Sequence, residues 1–266
     1  VSATHPAPGP LFVQELGEGP PVLVLHGLLG QGRNWAGVGR RLARNRRVLL
    51  VDLRNHGRSP WHPVMTYPAM AADLAALISD RGLARPAVVG HSMGGKAAMT
   101  LALQRPGLLD RLVVVDVAPV DYGRSDLFAG YLRAMAAVDP GRLGRRAEAE
   151  RALAEAVPDP AIRAFLASNL DQVDGRLAWL PNLAVLLEAL ATLGGFPAQV
   201  APAGPDLPVL AIAGGRSDYL GADGIAALRR LFPALRLVTV PRAGHWVHAD
   251  APEAVVEALE GFLPGG

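Results

Sequence analysis

The 266-residue chain has no cysteine. This excludes disulfides, a thiolate zinc centre and a cysteine nucleophile, and it fits a reducing compartment; the expected location is the cytoplasm. Lysine is nearly as scarce, Lys96 being the only one, so the positive charge is carried by arginine. The formal net charge is only +2. A sequence pI near 9.4 therefore reflects the high pKa of the guanidinium group and gives no support for nucleic acid as a partner. The densest basic run, 40–47, follows apolar Trp35, Val38 and Leu42 at helical spacing, so its arginines fall on a solvated helix face. No apolar run approaches the roughly 18 residues of a membrane span, and residues 1–10 have neither a charged start nor an apolar core of the secretory kind.

Half of the residues are hydrophobic and 19% are charged, which excludes disorder and a coiled coil. A chain of this length suits one domain with an insertion, or two small domains. Short apolar runs at 21–25, 47–51, 86–89, 112–116 and 208–212 are too short for helices and apolar on both faces, as in the strands of a buried parallel sheet. A first strand at 11–16 and a last one at 235–240 flank them, and helical stretches at 67–79, 96–104, 222–231 and 252–262 alternate with them. Alternation of this kind specifies an α/β fold with helices on both faces of the sheet. Between about 121 and 204 the strand signal stops, and helical segments at 127–138, 145–157, 161–170 and 182–193 take its place. The domain expectation is a core of residues 1–120 and 205–266 with a helical cap at 121–204.

The most informative stretch is Gly90-His-Ser-Met-Gly94, with a strand running into it and a helix running out. A serine pinned at so sharp a corner adopts a strained backbone, and side chains two positions to either side would collide, hence the glycines. Such an elbow lifts the hydroxyl above the sheet and aims the first helix amides at what binds there. A serine hydroxyl needs a histidine to take its proton, and the histidine needs a carboxylate to fix its tautomer. His245, following the last strand and a glycine, is the candidate base. Asp116 and Asp218, each at the end of its own strand, are rival candidates for the acid; the bland alternatives are a helix cap for Asp116 and a turn residue for Asp218. The backbone N–H groups of Met93 and Leu28, the latter in the glycine turn after His26, are the candidate oxyanion donors. Among the other histidines, His26 holds its turn, His91 flanks the nucleophile and points away, and His248 with His245 and Asp250 lacks a third clear metal ligand. No metal or other cofactor is expected. Trp35, Trp179, Tyr219 and Trp246 are candidate substrate-binding aromatics; ordinary core packing is the competing explanation for each.

Six strings carry a resemblance to a known family: His26-Gly-Leu-Leu-Gly30 with Asn34-Trp35, Asp52-Leu-Arg-Asn-His-Gly-Arg-Ser-Pro60, Met65-Thr-Tyr67, Gly90-His-Ser-Met-Gly-Gly-Lys96, Asp116-Val-Ala-Pro-Val-Asp-Tyr122 and Gly244-His-Trp-Val-His-Ala249. With them the chain resembles the α/β-hydrolase superfamily from end to end, and within it the YbfF-type esterases and abhydrolase-domain 11 proteins. The resemblance implies a mostly parallel eight-stranded sheet with an inserted helical cap. It also implies hydrolysis of short- to medium-chain acyl esters, with acyl thioesters as a further possibility, through Ser92 and His245. It favours Asp116 over Asp218 as the acid and assigns Lys96 to bracing the elbow. The expected partner is a small-molecule ester, and a monomer is compatible with the sequence. Other serine-triad activities on this fold (carbon–carbon hydrolase or lyase, haloperoxidase, lipase) and a non-catalytic binding protein are the alternatives. Haloalkane dehalogenase and epoxide hydrolase chemistry would require aspartate in place of Ser92.

Overall fold

The structure, a computed structural model, describes residues 9–123, 125–197, 201–204 and 206–263. Residues 1–8, part of the stretch judged free of a secretory signal, lie outside the described residues. The described strands are β1 (Val13–Leu16), β2 (Pro21–Leu25), β3 (Arg47–Val51), β4 (Ala87–His91), β5 (Arg111–Val115), β6 (Leu170–Val173), β7 (Arg176–Trp179), β8 (Val209–Gly214) and β9 (Leu235–Val240). Seven of them form one sheet in the order β1-β3-β2-β4-β5-β8-β9. β1 pairs antiparallel with β3 and every other pairing in this sheet is parallel.

The seven-stranded sheet corrects the eight strands implied by resemblance. The seven strand-forming runs visible in the sequence are all used, and the remaining extended segments, β6 and β7, pair only with each other. That hairpin is a second correction, because the region 121–204 was expected to be helical throughout. Its turn, Asp174-Gly175, has φ of 50° and 79°. An Asp-Gly pair with positive φ at both positions matches the right-handed twist of two adjoining strands, so the hairpin is a local preference that was there to be read.

The helices are α1 (Ala36–Leu42), α2 (Tyr67–Asp80), α3 (Met93–Gln104), α4 (Ser125–Ala136), α5 (Arg146–Ala152), α6 (Pro160–Ala167), α7 (Leu183–Glu188), α8 (Leu190–Gly194), α9 (Ala222–Leu231), α10 (Val247–Asp250) and α11 (Pro252–Phe262), with two short 3-10 turns. Alternate residues of the central strands feed two cores. Val22, Val24, Leu50, Val113 and Ile212 pack on the side of α1 and α11. Leu23, Leu49, Val88 and Val114 pack on the side of α2, α3 and the segment between β5 and β8. The strands are thus apolar throughout because both faces are covered.

The Asp52–Pro60 string is a buried polar knot at the C-terminal rim of the sheet. Asp52 accepts from the N–H groups of Gly32 (2.7 Å) and Arg58 (2.8 Å). Ser59 Oγ donates to the Asp52 carbonyl (2.5 Å) and accepts from Phe12 N–H (2.8 Å), anchoring the start of β1. Arg54 and Asp73, both buried, form a two-pronged pair at 2.6 and 2.7 Å, and the third guanidinium nitrogen donates to the Val64 carbonyl at 2.8 Å. No helix among the described residues is long and apolar enough to cross a membrane.

Asp73→Asn strands the Arg54 guanidinium, and a loss of about 3–5 kcal/mol in urea unfolding is expected; Arg54→Met with Asp73→Leu should cost less, since no charge is left unpaired. Burial lowers the pKa of His26 to about 4 and those of His56 and His248 to about 3. Below pH 6.5 the unfolded chain takes up protons that these folded rings refuse, so their stabilising contribution, complete above pH 6.5, is lost as pH falls towards those values. Urea titrations at pH 7.5 and 5 should differ by roughly 1–2 kcal/mol per histidine.

Candidate active site

Ser92 joins β4 to α3 with φ 52° and ψ −119°, a conformation that a non-glycine residue holds only when its surroundings enforce it. The enforcement is close packing of backbone. A Cβ on Gly90 would come within 2.4 Å of the Gly94 carbonyl oxygen, and one on Gly94 within 2.5 Å of the His26 carbonyl oxygen. The elbow is pinned further by Ser92 N–H, which donates to the Val115 carbonyl at 3.1 Å.

His245 reaches the elbow from the loop between β9 and α10. The Ser92 hydroxyl lies 3.1 Å from His245 Nε2, and His245 Nδ1 lies 2.8 Å from Asp116 Oδ2. A carboxylate can only accept, so Nδ1 carries the hydrogen and Nε2 is left to accept from the serine. Asp116, fully buried just past β5 with φ 51°, accepts from three groups. Besides His245 these are Gly214 N–H at 2.9 Å and Ser217 Oγ–H at 2.5 Å. Asp218, the rival acid, sits at an exposed position beyond β8. Its neighbour Ser217 is the residue of that turn that meets the buried carboxylate. Nothing in the sequence distinguishes Ser217 except its position beyond a strand end.

The His245 ring is held on several sides. Tyr219 stacks on it, with ring centroids 3.8 Å apart and planes at 20°. His91, expected to be a bystander, donates from Nε2 to the His245 carbonyl at 2.9 Å, so the elbow's own histidine anchors the loop that brings the other one. Burial, with His245 and His248 close by, lowers the His91 pKa well below the usual histidine value. His26 behaves as the sequence suggested: Nδ1–H donates to the Gly27 carbonyl at 2.7 Å and Nε2 accepts from Leu53 N–H at 3.0 Å. His248 and Asp250 diverge from His245, the former stacking on Trp35 at 4.1 Å and the latter accepting from Gly244 N–H at 2.7 Å.

Ser92 opens into a cavity of about 50 Å³ between the sheet rim and the segment above it. Leu28 and Met93 line it from below, and Phe128, Leu190 and Leu193 from above. Neither the Leu28 nor the Met93 N–H has a hydrogen-bond partner among the described residues. Of the four candidate aromatics, only Tyr219 lines this cavity. Trp35 is buried on the opposite face of the sheet, in the core shared by α1 and α11. The 3.6-residue stripe that points it inward also points it away from the rim. Trp179 is buried above the sheet, where its Nε1–H donates to the Val138 carbonyl at 3.2 Å. Trp246 lies beside the site, edge-on to His245 at 5.7 Å and 5.9 Å from Phe165, outside the cavity wall.

Comparison with known proteins gives a consistent result. The family described as alpha/beta hydrolase fold matches residues 20–252. A mouse protein named sn-1-specific diacylglycerol lipase ABHD11 is 42% identical, over 92% of this chain and 81% of its own length. Esterase YbfF of Escherichia coli is 36% identical, over 91% of this chain and 92% of its own length. Among solved structures, a marine microorganism esterase superposes with a TM-score of 0.91 at 33% identity, over 96% of this chain and 100% of that one. With a serine elbow, a histidine and a buried aspartate on the rim of one mostly parallel sheet, and relatives that match it nearly end to end, this chain belongs to the alpha/beta hydrolase fold family.

Proposed function

We propose that the protein is a serine carboxylesterase acting on small-molecule esters of short- to medium-chain acids, with acyl thioesters as a related substrate class. The observation that carries the reading is the unbroken hydrogen-bond line from Ser92 Oγ through His245 to Asp116. The esterase and lipase names of the relatives support the same bond type. The cavity at Ser92, small and walled mainly by apolar side chains, suits a short acyl chain. In this reading residues 121–204 act as a cap that covers the acyl group.

The reaction follows from the geometry. Ser92 Oγ attacks the ester carbonyl while its proton passes to His245 Nε2, and Asp116 stabilises the imidazolium that forms. The carbonyl oxygen, now carrying negative charge, takes hydrogen bonds from the Leu28 and Met93 N–H groups, which have no other partner among the described residues. His245 then delivers the proton to the departing alcohol. A water, deprotonated by the same Nε2, attacks the acyl-serine, and collapse of the second tetrahedral species returns the proton to Ser92 Oγ and releases the acid. Ser217 and Gly214 keep the Asp116 carboxylate turned towards Nδ1 throughout.

A fluorophosphonate probe should label wild-type protein at Ser92 and leave Ser92→Ala unlabelled; a folded wild type that resists labelling would favour a binding protein on a hydrolase scaffold. The acid is tested by three variants on a nitrophenyl butyrate assay. Asp116→Asn should lower kcat by about 10⁴-fold, since the wrong imidazole tautomer then faces the serine. Ser217→Ala, which removes one of three donors to the carboxylate, should lower kcat by about tenfold. Asp218→Asn should stay within about twofold of wild type, and a large loss there with Asp116→Asn active would reassign the acid.

A further inference from the structure

Lys96 is the only lysine in the chain and is 2% exposed. It projects from α3 four residues beyond Ser92 and lines the same cavity. No carboxylate pairs with it among the described residues. Its ammonium instead donates to three carbonyl oxygens, those of Val120 at 2.8 Å, Gly194 at 2.7 Å and Gly195 at 2.7 Å. Val120 belongs to the loop that leaves β5, whereas Gly194 and Gly195 end α8, where helix carbonyls have no partner within the helix. The rings of Tyr67 and Tyr122 flank the ammonium at 5.8 and 4.7 Å. Both tyrosines also grip the same stretch: Tyr67 OH donates to the Leu193 carbonyl at 2.6 Å, and Tyr122 N–H donates to that of Gly194 at 3.2 Å.

Three successive residues, Leu193, Gly194 and Gly195, are therefore tied by their carbonyls to groups on α2, α3 and the β5 loop. Leu193 and Gly194 are themselves part of the cavity wall. Burying an ammonium is costly: burial draws the Lys96 pKa down to about 7 against the opposing pull of Asp121. An apolar side chain of equal length would fill the same volume without that cost. What an ammonium alone supplies is simultaneous hold on three oxygens from two separate parts of the chain.

We propose that Lys96 determines acyl-chain length, by clamping the Leu193–Gly195 stretch against the core and so fixing the wall that a longer acyl chain on Ser92 would have to displace. This rests on the esterase reading, in which Ser92 carries the acyl group. Lys96 takes no part in bond making; it is a positioning residue, and its effect is read in the ratio of substrates, which a loss of folded protein leaves unchanged.

The experiment compares kcat/KM for nitrophenyl octanoate and butyrate in wild type and Lys96→Met, with fluorophosphonate labelling of both. Lys96→Met should raise the octanoate-to-butyrate ratio by about tenfold or more, chiefly through a lower KM for octanoate. An unchanged ratio in folded Lys96→Met, or a parallel fall for both esters, overturns the proposal. If Lys96→Met does not fold, Tyr67→Phe, which releases only the Leu193 carbonyl, should move the ratio the same way by a smaller factor, and no movement there overturns it equally. Wild type that is labelled at Ser92 but shows no change of ratio on substitution sinks only the role of Lys96; wild type that is neither labelled nor active on any ester sinks the esterase reading itself.

Discussion

The carboxylate of Asp116 is the point on which the rest of the site depends. It is fully buried, and its two oxygens take hydrogen bonds from Gly214, Ser217 and His245, which come from the end of β8, the turn after it and the loop after β9. A buried carboxylate without such donors would be expensive to keep, so the requirement works in both directions. The donors hold the carboxylate, and the carboxylate, itself at the end of β5, holds the ends of β8 and β9 beside it. The position of His245, and through it the state of the Ser92 hydroxyl, is a consequence of satisfying that one group.

The elbow imposes a second constraint of a different kind. Ser92 is held at positive φ by backbone contacts too close for any Cβ at Gly90 or Gly94. Because the contacts are backbone on backbone, the serine has no soft direction in which to relax. His91 then uses the same rigid corner as an anchor for the His245 carbonyl. Ser92 and His245 are in this way referred to one stiff element, although 153 residues separate them in the chain.

Above the rim, the segment between β5 and β8 is joined to the core by polar groups as well as by apolar packing. Asn182 N–H donates to the Asn55 carbonyl at 3.0 Å, Asn169 Nδ2 donates to that of Leu29 at 2.8 Å, and Lys96 holds the end of α8. Asn55 and Leu29 both have positive φ and both lie in strings singled out by the sequence. These loops are therefore shaped partly to present carbonyls upward. Of these tie points only the one between Lys96 and Gly194 borders the cavity, where a hydrogen bond joins two pieces of its wall.

Much of this is legible in the amino-acid order because it arises from local physics. Runs such as Val22–Leu25 and Val48–Val51 are apolar on every residue, which only a strand covered on both faces tolerates, and Gly90 and Gly94 bracket Ser92 because backbone must pass there. The hairpin around Asp174-Gly175 is equally local, but the strong helical signal on either side of it masks its turn. Other features have no local signature. Trp35 belongs to a motif string and Tyr219 follows a strand end, yet the first faces the far core and the second stacks on His245, and which face each meets depends on how the helix or loop docks. Asp116 and Asp218 each follow a strand, and periodicity treats them alike; only the folded chain buries one beside His245 and leaves the other exposed. The sequence by itself determined the strands, the elbow and the inventory of reactive groups, since these rest on contacts within a few residues. The tertiary structure decided which groups meet, because Ser217, His91 and Lys96 act through partners more than 20 residues away, and no short-range pattern encodes a distance of that kind.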